Sequence, residues 1–314
     1  MTDTFLHAMT FAFCERRGFT EKENWKTSLR TMQEETGCNA VILPVVGWQE
    51  HAYSTEIPLD TDRILSPEDV QRVAELTRAL GMKLILKTMV NCLDGYWRAY
   101  IRFIDPPVGC EPSFEEWFQS YTRLLLYTAG LAQENQADML CVGCETVGTD
   151  GQEQLWRAAI REARKVYTGP MTYNCDKYQE GQVAWWDALD VISSSGYYPI
   201  TDLSKEFARI QSVCRQWQKP FLFMECGCPS RQGSEHRPND WKFGGATDVK
   251  AQSDWYAAFL QALQANPWVI GAGWWDWPAR LYPDTEGIVH NGYCMHGKPA
   301  AALMKAFAMR TESR

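Results

Sequence analysis

Glu145 directly follows Cys141-Val142-Gly143-Cys144, and Glu225 directly follows Phe221-Leu222-Phe223-Met224, so each carboxylate ends an apolar run of strand type. A charge that close to a buried strand costs free energy unless it is paired or put to use. Two carboxyl groups about 5 Å apart, one protonated and one ionised, can cleave a glycosidic bond with retention of configuration. The first protonates the leaving oxygen and the second attacks the anomeric carbon. The plainer alternative is that each Glu only pairs with a nearby cation, such as Lys87 or Arg98, to hold a rim together.

Other residue types narrow the chemistry. The chain holds 14 Trp, and Trp48, Trp97, Trp241, Trp274, Trp275 and Trp277 fall in predicted strand ends or loops. Flat apolar rings beside polar groups suit pyranose faces, although alternate strand positions must point outward into helices. Lys87 near a strand end also admits a Schiff-base aldolase, although a lysine there also hydrogen-bonds sugar hydroxyls or pairs a carboxylate. His7, His51, His236, His290 and His296 are scattered without an HxH or HExxH spacing, so no metal is indicated. Cys141 and Cys144 have half a zinc-knuckle spacing, but residues three apart on a regular strand face opposite sides and no second pair follows.

For the two glutamates to meet, distant segments must converge. Short apolar runs alternate with longer amphipathic stretches along the whole chain, with no linker or low-complexity segment. Strands are predicted at 9–14, 40–46, 83–90, 139–144, 171–174, 191–195, 221–225 and 269–275, and helices at 23–36, 67–80, 114–134, 152–166, 204–217, 251–265 and 299–308. After the fifth strand only 183–189 remains for a helix, so that unit is expected to be reduced. Eight such alternations without a Gly-rich first turn favour an α/β fold of the closed (β/α)8 TIM-barrel type over a doubly wound sheet. Residues 1–314 are expected to form a single catalytic domain. Strand ends carry the chemistry of such barrels, and strands four and seven can aim side chains across the mouth. The segment 229–249 after strand seven is long enough to wall or cover a cleft.

Composition excludes several function classes. With 45% apolar and 22% charged residues the chain has an ordinary globular balance. A net charge of −8 without a Lys/Arg cluster speaks against a nucleic-acid partner. No segment approaches the roughly 20 apolar residues of a membrane span, and residues 1–13 lack a basic leader. The expectation is a cytoplasmic protein, or a secreted one had a leader been removed. Most of the 11 cysteines lie in apolar runs, where a reduced thiol packs as a small hydrophobe.

The chain resembles glycoside hydrolase family 113, the β-mannanase family of a large clan of retaining (β/α)8 glycosidases. The resemblance runs through Ala8-Met9-Thr10-Phe11, Leu86-Lys87, Trp97-Arg98, Val142-Gly143-Cys144-Glu145 and Met171-Thr172-Tyr173-Asn174. It continues in Trp186-Asp187-Ala188-Leu189-Asp190, Gly196-Tyr197-Tyr198-Pro199 and Pro220-Phe221-Leu222-Phe223-Met224-Glu225. It implies acid/base work at Glu145, attack by Glu225, and a Tyr hydrogen-bonded to the nucleophile, Tyr197 or Tyr198. Lys87, Trp97, Arg98, Asn174 and Trp274 would line sugar subsites, with Trp241 a further sugar contact from the loop after strand seven. Cys144 departs from the pattern, since many clan members place an Asn there for the sugar 2-hydroxyl. Ser193-Ser194-Ser195 replaces an Asp-containing stretch, and Cys226 and Cys228 beside the nucleophile are unusual.

The implied substrate is a β-linked oligo- or polysaccharide, with β-1,4-mannosyl units first in view, and no cofactor. Alternatives are an exo-acting β-glycosidase on another β-linked oligosaccharide and a non-catalytic sugar-binding barrel.

Overall fold

The computed structural model describes residues 4–104, 112–242 and 244–312. Eight parallel strands close into a barrel in sequence order: β1 Leu6–Phe11, β2 Ala40–Gln49, β3 Lys83–Cys92, β4 Met139–Cys144, β5 Met171–Cys175, β6 Val191–Ser195, β7 Phe221–Cys226 and β8 Val269–Trp277. Seven α-helices surround it among the described residues: α1 Asn24–Thr36, α2 Pro67–Ala79, α3 Phe114–Glu134, α4 Glu153–Val166, α5 Leu203–Trp217, α6 Val249–Ala265 and α7 Pro299–Glu312. Between β5 and β6 only a 3-10 turn, Trp186–Ala188, occupies the helical position.

The period-two pattern of the strands separates two cores. Ala8, Ala40, Ile42, Ile85, Met139, Cys141, Val191, Leu222 and Met224 fill the barrel interior, while the alternate residues pack outward beneath the helices. Above that interior plug the inward positions turn polar, with Lys87, Thr172, Asn174, Ser193 and Ser195 all fully buried. Helix starts are fixed locally. Ser66 and Ser113 form reciprocal capping boxes with Asp69 and Glu116 at the third helical positions of α2 and α3.

β1 starts and ends three residues earlier than the apolar pattern of 9–14 predicts. Ala12 and Cys14 adopt left-handed φ values of 59°, which turn the chain out of the strand into the first loop. No described helix is long and apolar enough to cross a membrane.

Candidate active site

Strict alternation would aim Glu225 away from the barrel interior. In β7, Leu222 and Met224 point inward and Phe223 outward, so Glu225 should point outward. A register irregularity between Phe223 and Cys226 against β8, matched by one between Ser194 and Ser195 against β6, returns Glu225 to the inside. β4 also slips register, between Cys141 and Cys144 against β5, which turns Cys144 inward. Glu145 then takes a left-handed φ of 51° and its N–H donates to Asn174 O at 2.8 Å. A non-glycine residue there carries about 1 kcal/mol or more of strain, of the kind that accumulates at functional sites. The β4 irregularity also overturns the expectation for the cysteines: Cys141 and Cys144 both face the barrel interior.

A carboxylate oxygen of Glu145 lies within 4.8 Å of one of Glu225, with Cys144 Sγ also within 4.8 Å of each. Each carboxyl has a different set of partners. Glu225 Oε1 accepts from the Lys87 ammonium, a buried ion pair, and from Cys144 Sγ at 3.3 Å, while Oε2 accepts from the Tyr197 hydroxyl at 3.1 Å. Glu145 Oε1 accepts from Ser195 Oγ at 2.5 Å. Its Oε2 has only longer contacts, to Trp97 Nε1 at 3.4 Å and Arg98 Nη2 at 3.6 Å. Both carboxyls therefore pair with the cations that the sequence offered, yet they remain at the mouth beside each other.

These partners divide the protonation states. Burial raises the pKa of Glu145, and the charge of Glu225 raises it further, with Arg98 and the Ser195 hydrogen bond only partly opposing. Burial acts against the charge of Glu225 too, but Lys87 and Arg98 overcome it and hold that carboxyl below the ordinary range. Burial and the Glu225 charge push the Tyr197 phenol far up, so it stays protonated and donates. One carboxyl holding its proton and one ionised, within a few ångströms, can serve opposite ends of a single bond.

The predicted sugar-lining residues separate into two groups. Lys87, Asn174, Arg98, Trp97 and Tyr197 gather around the carboxyls, although Lys87 points at Glu225 and Asn174. Trp241 stands on the rim, its ring 4.6 Å from Tyr293 and 6.1 Å from Trp275; position 243 of its loop lies outside the described residues. Tyr198 and Trp274 do not reach the mouth. Tyr198 OH donates to the buried Glu180 at 3.1 Å in the helical layer, and Trp274 packs on Tyr256 and Phe259 of α6. Their neighbours Tyr197 and Trp275 cluster with Tyr293 at the mouth instead; within β8 the reversal between Trp274 and Trp275 follows because adjacent strand residues take opposite sides. Sequence reasoning also missed Ser195 as a partner, and Asp176 just beyond β5. Asp176 is pushed up to about 7 by burial and the charge of Glu145. The triple serine stood out in the sequence only as a departure from the family pattern.

The turn carrying Trp97 and Arg98 is pressed onto the turn after Glu145. A Cβ on Gly148 would lie 2.2 Å from Ile101 O and 3.2 Å from Ala99 O. Gly148→Ala is therefore expected to push Arg98–Tyr100 outward. The predicted result is a loss of about tenfold or more in kcat/KM with a melting temperature a few degrees lower, read by steady-state kinetics and thermal melts.

Two groups of potential metal ligands occur among the described residues. Glu35 and Asp284 contact opposite ring nitrogens of His296, at 2.8 Å each, and one ligand atom from each of the three lies within 4.8 Å of the others. In the other group, Lys87 and Arg98 already supply the positive charge beside Cys144, Glu145 and Glu225.

A closed (β/α)8 barrel with two adjacent carboxyl groups at its mouth whose pKa values are pushed in opposite directions, beside a wall of aromatic rings, has the attributes of a glycoside hydrolase. The chain belongs to glycoside hydrolase family 113, whose model matches residues 9–298. A solved family 113 β-1,4-mannanase is 40% identical, with a TM-score of 0.95 over 98% of this chain and 99% of that one. The family 113 β-mannanase of Alicyclobacillus acidocaldarius is 36% identical, with a TM-score of 0.94 over 98% of both chains. A β-glucuronidase of Ruminococcus gnavus, 14% identical with a TM-score of 0.63, shares the fold; 98% of this chain matches 50% of that one. No curated protein matches the chain.

Proposed function

We propose that this chain is a retaining hydrolase of β-1,4-linked mannosides that works as one catalytic domain, with Glu225 as nucleophile and Glu145 as acid/base. In the first step an oxygen of Glu225 bonds to the anomeric carbon, the bond to the leaving oxygen breaks, and the proton of Glu145 passes to that oxygen. In the second, Glu145 takes a proton from water, the resulting hydroxyl bonds to the anomeric carbon, and Glu225 leaves as carboxylate.

The observation that carries this reading is the separation of less than 4.8 Å between carboxyl oxygens. That spacing suits direct attack and leaves no room for the water that an inverting pair, about 6.5–9.5 Å apart, must hold. The mannosyl preference rests on the β-1,4-mannanases that the chain matches at 40% and 36% identity.

Proton NMR of the first minutes of hydrolysis of an aryl β-mannoside or of mannohexaose tests it. The new reducing end is expected to appear as the β-anomer and then mutarotate. Initial α-anomer, or no turnover of either substrate, would overturn the assignment.

A further inference from the structure

Beneath the two carboxyls runs an unbroken chain of hydrogen bonds. Lys87 Nζ donates to Glu225 Oε1 and, at 2.8 Å, to Asn174 Oδ1. Asn174 Nδ2 donates to Ser195 Oγ at 3.0 Å, and Ser195 Oγ donates to Glu145 Oε1 at 2.5 Å. All five residues are buried, with Lys87, Asn174 and Ser195 completely so.

The chemistry of the donors fixes the direction of every link. An ammonium has only protons to give, so Asn174 must turn its carbonyl toward Lys87 and its NH2 toward Ser195. The Ser195 oxygen thus accepts one hydrogen bond, and its own proton points at Glu145. Oε1 of Glu145 is thereby held by a donor, whereas Oε2 has only the two longer contacts, at 3.4 Å and 3.6 Å.

We propose that Asn174 and Ser195 are positioning residues that direct the acidic proton of Glu145 onto Oε2, the oxygen facing Trp97 and Arg98, for delivery to the leaving group. This rests on the acid/base assignment above and deepens it. Ser195 does not touch the sugar; it acts through Glu145. When Glu145 is ionised, awaiting the water proton, the same Ser195 bond stabilises its charge. The chain thus serves both half-reactions without rearranging, and its orientation originates at Lys87 on the opposite carboxyl.

The test is Ser195→Ala, with Ser195→Thr as the hydroxyl-preserving control and thermal melts to check folding. Loss of a hydrogen bond to an ionised carboxylate should move the alkaline limb of the kcat/KM profile upward by about one pH unit. Ionising Glu145 becomes harder, hence the upward sign. Turnover of mannohexaose, whose leaving group needs the proton, should fall about tenfold more than turnover of 2,4-dinitrophenyl β-mannoside, which does not. Ser195→Thr should recover both readouts toward wild type. An unmoved alkaline limb, or equal losses on the two substrates, overturns the role of Ser195. Absence of wild-type turnover on both substrates instead overturns the proposed function, and this inference with it.

Discussion

Replacing Glu225 by Ala is expected to lower turnover of an aryl β-mannoside by about 10⁴- to 10⁶-fold, the range seen when members of a catalytic constellation are removed, and sodium azide is expected to restore part of it as α-mannosyl azide. The reasoning starts from what the substitution leaves behind. Lys87 is fully buried beside the vacated carboxylate, and Arg98 lies nearby at 9% exposure. The Lys87 ammonium then faces an empty, anion-sized space, with the Arg98 charge nearby, and a small anion is concentrated there. Under the proposed mechanism azide in that space attacks the anomeric carbon from the face assigned to Glu225, so the product carries the inverted, α configuration. Glu145 is untouched and still protonates the leaving oxygen. A variant with wild-type turnover, or a β-configured azide, would show that Glu225 is not the attacking group.

The two glutamates were legible because each ends an apolar strand in a βα alternation, a position that physical cost makes rare. The barrel was legible for a related reason: its period repeats eight times, and the reduced unit after β5 announced itself by a lack of helical residues. What sequence could not give was side-chain parity at the strand ends. One residue of register slip reverses which face a side chain takes, and slips occur at Cys141–Cys144 and Phe223–Cys226. That is why alternation puts Cys141 and Cys144 on opposite faces; Trp274 and the undivided pair Tyr197 and Tyr198 come from the family resemblance, which does not separate adjacent residues. The hydrogen-bond chain was illegible for a second reason. Lys87, Asn174 and Ser195 come from three strands, and only the closed barrel makes their spacing a distance rather than a count of residues.

The charge on Glu225 depends on Lys87, and Lys87→Met is the sharper probe of that dependence because it leaves both carboxyls in place. The carboxylate is 2% exposed and the ammonium 0%. Removing one partner of a buried pair leaves an uncompensated charge, at a cost of about 3–5 kcal/mol. Protonation of Glu225 is the cheaper escape, so its pKa should move from below the ordinary range to above it. The acid limb of kcat/KM should climb correspondingly, and activity at neutral pH should fall about 100-fold or more.

Stability follows with a definite sign. In the wild type the depressed pKa of Glu225 stabilises the fold above the carboxyl's unfolded value, and that contribution disappears as pH falls through the depressed one. In the variant the raised pKa reverses the dependence, so stability drops as pH rises through it. The gap in melting temperature between wild type and variant should therefore be small near pH 4 and widen toward pH 7. Arg98 and Tyr197 remain in the variant, but the guanidinium beside Glu145 is no substitute for the lost ammonium. Its Nη1 and Nη2 groups are directed at Asn91, Cys144 and Glu145, so it cannot take over the contact at Oε1. An acid limb at the wild-type position in Lys87→Met would mean that Arg98 alone sets the ionisation of Glu225.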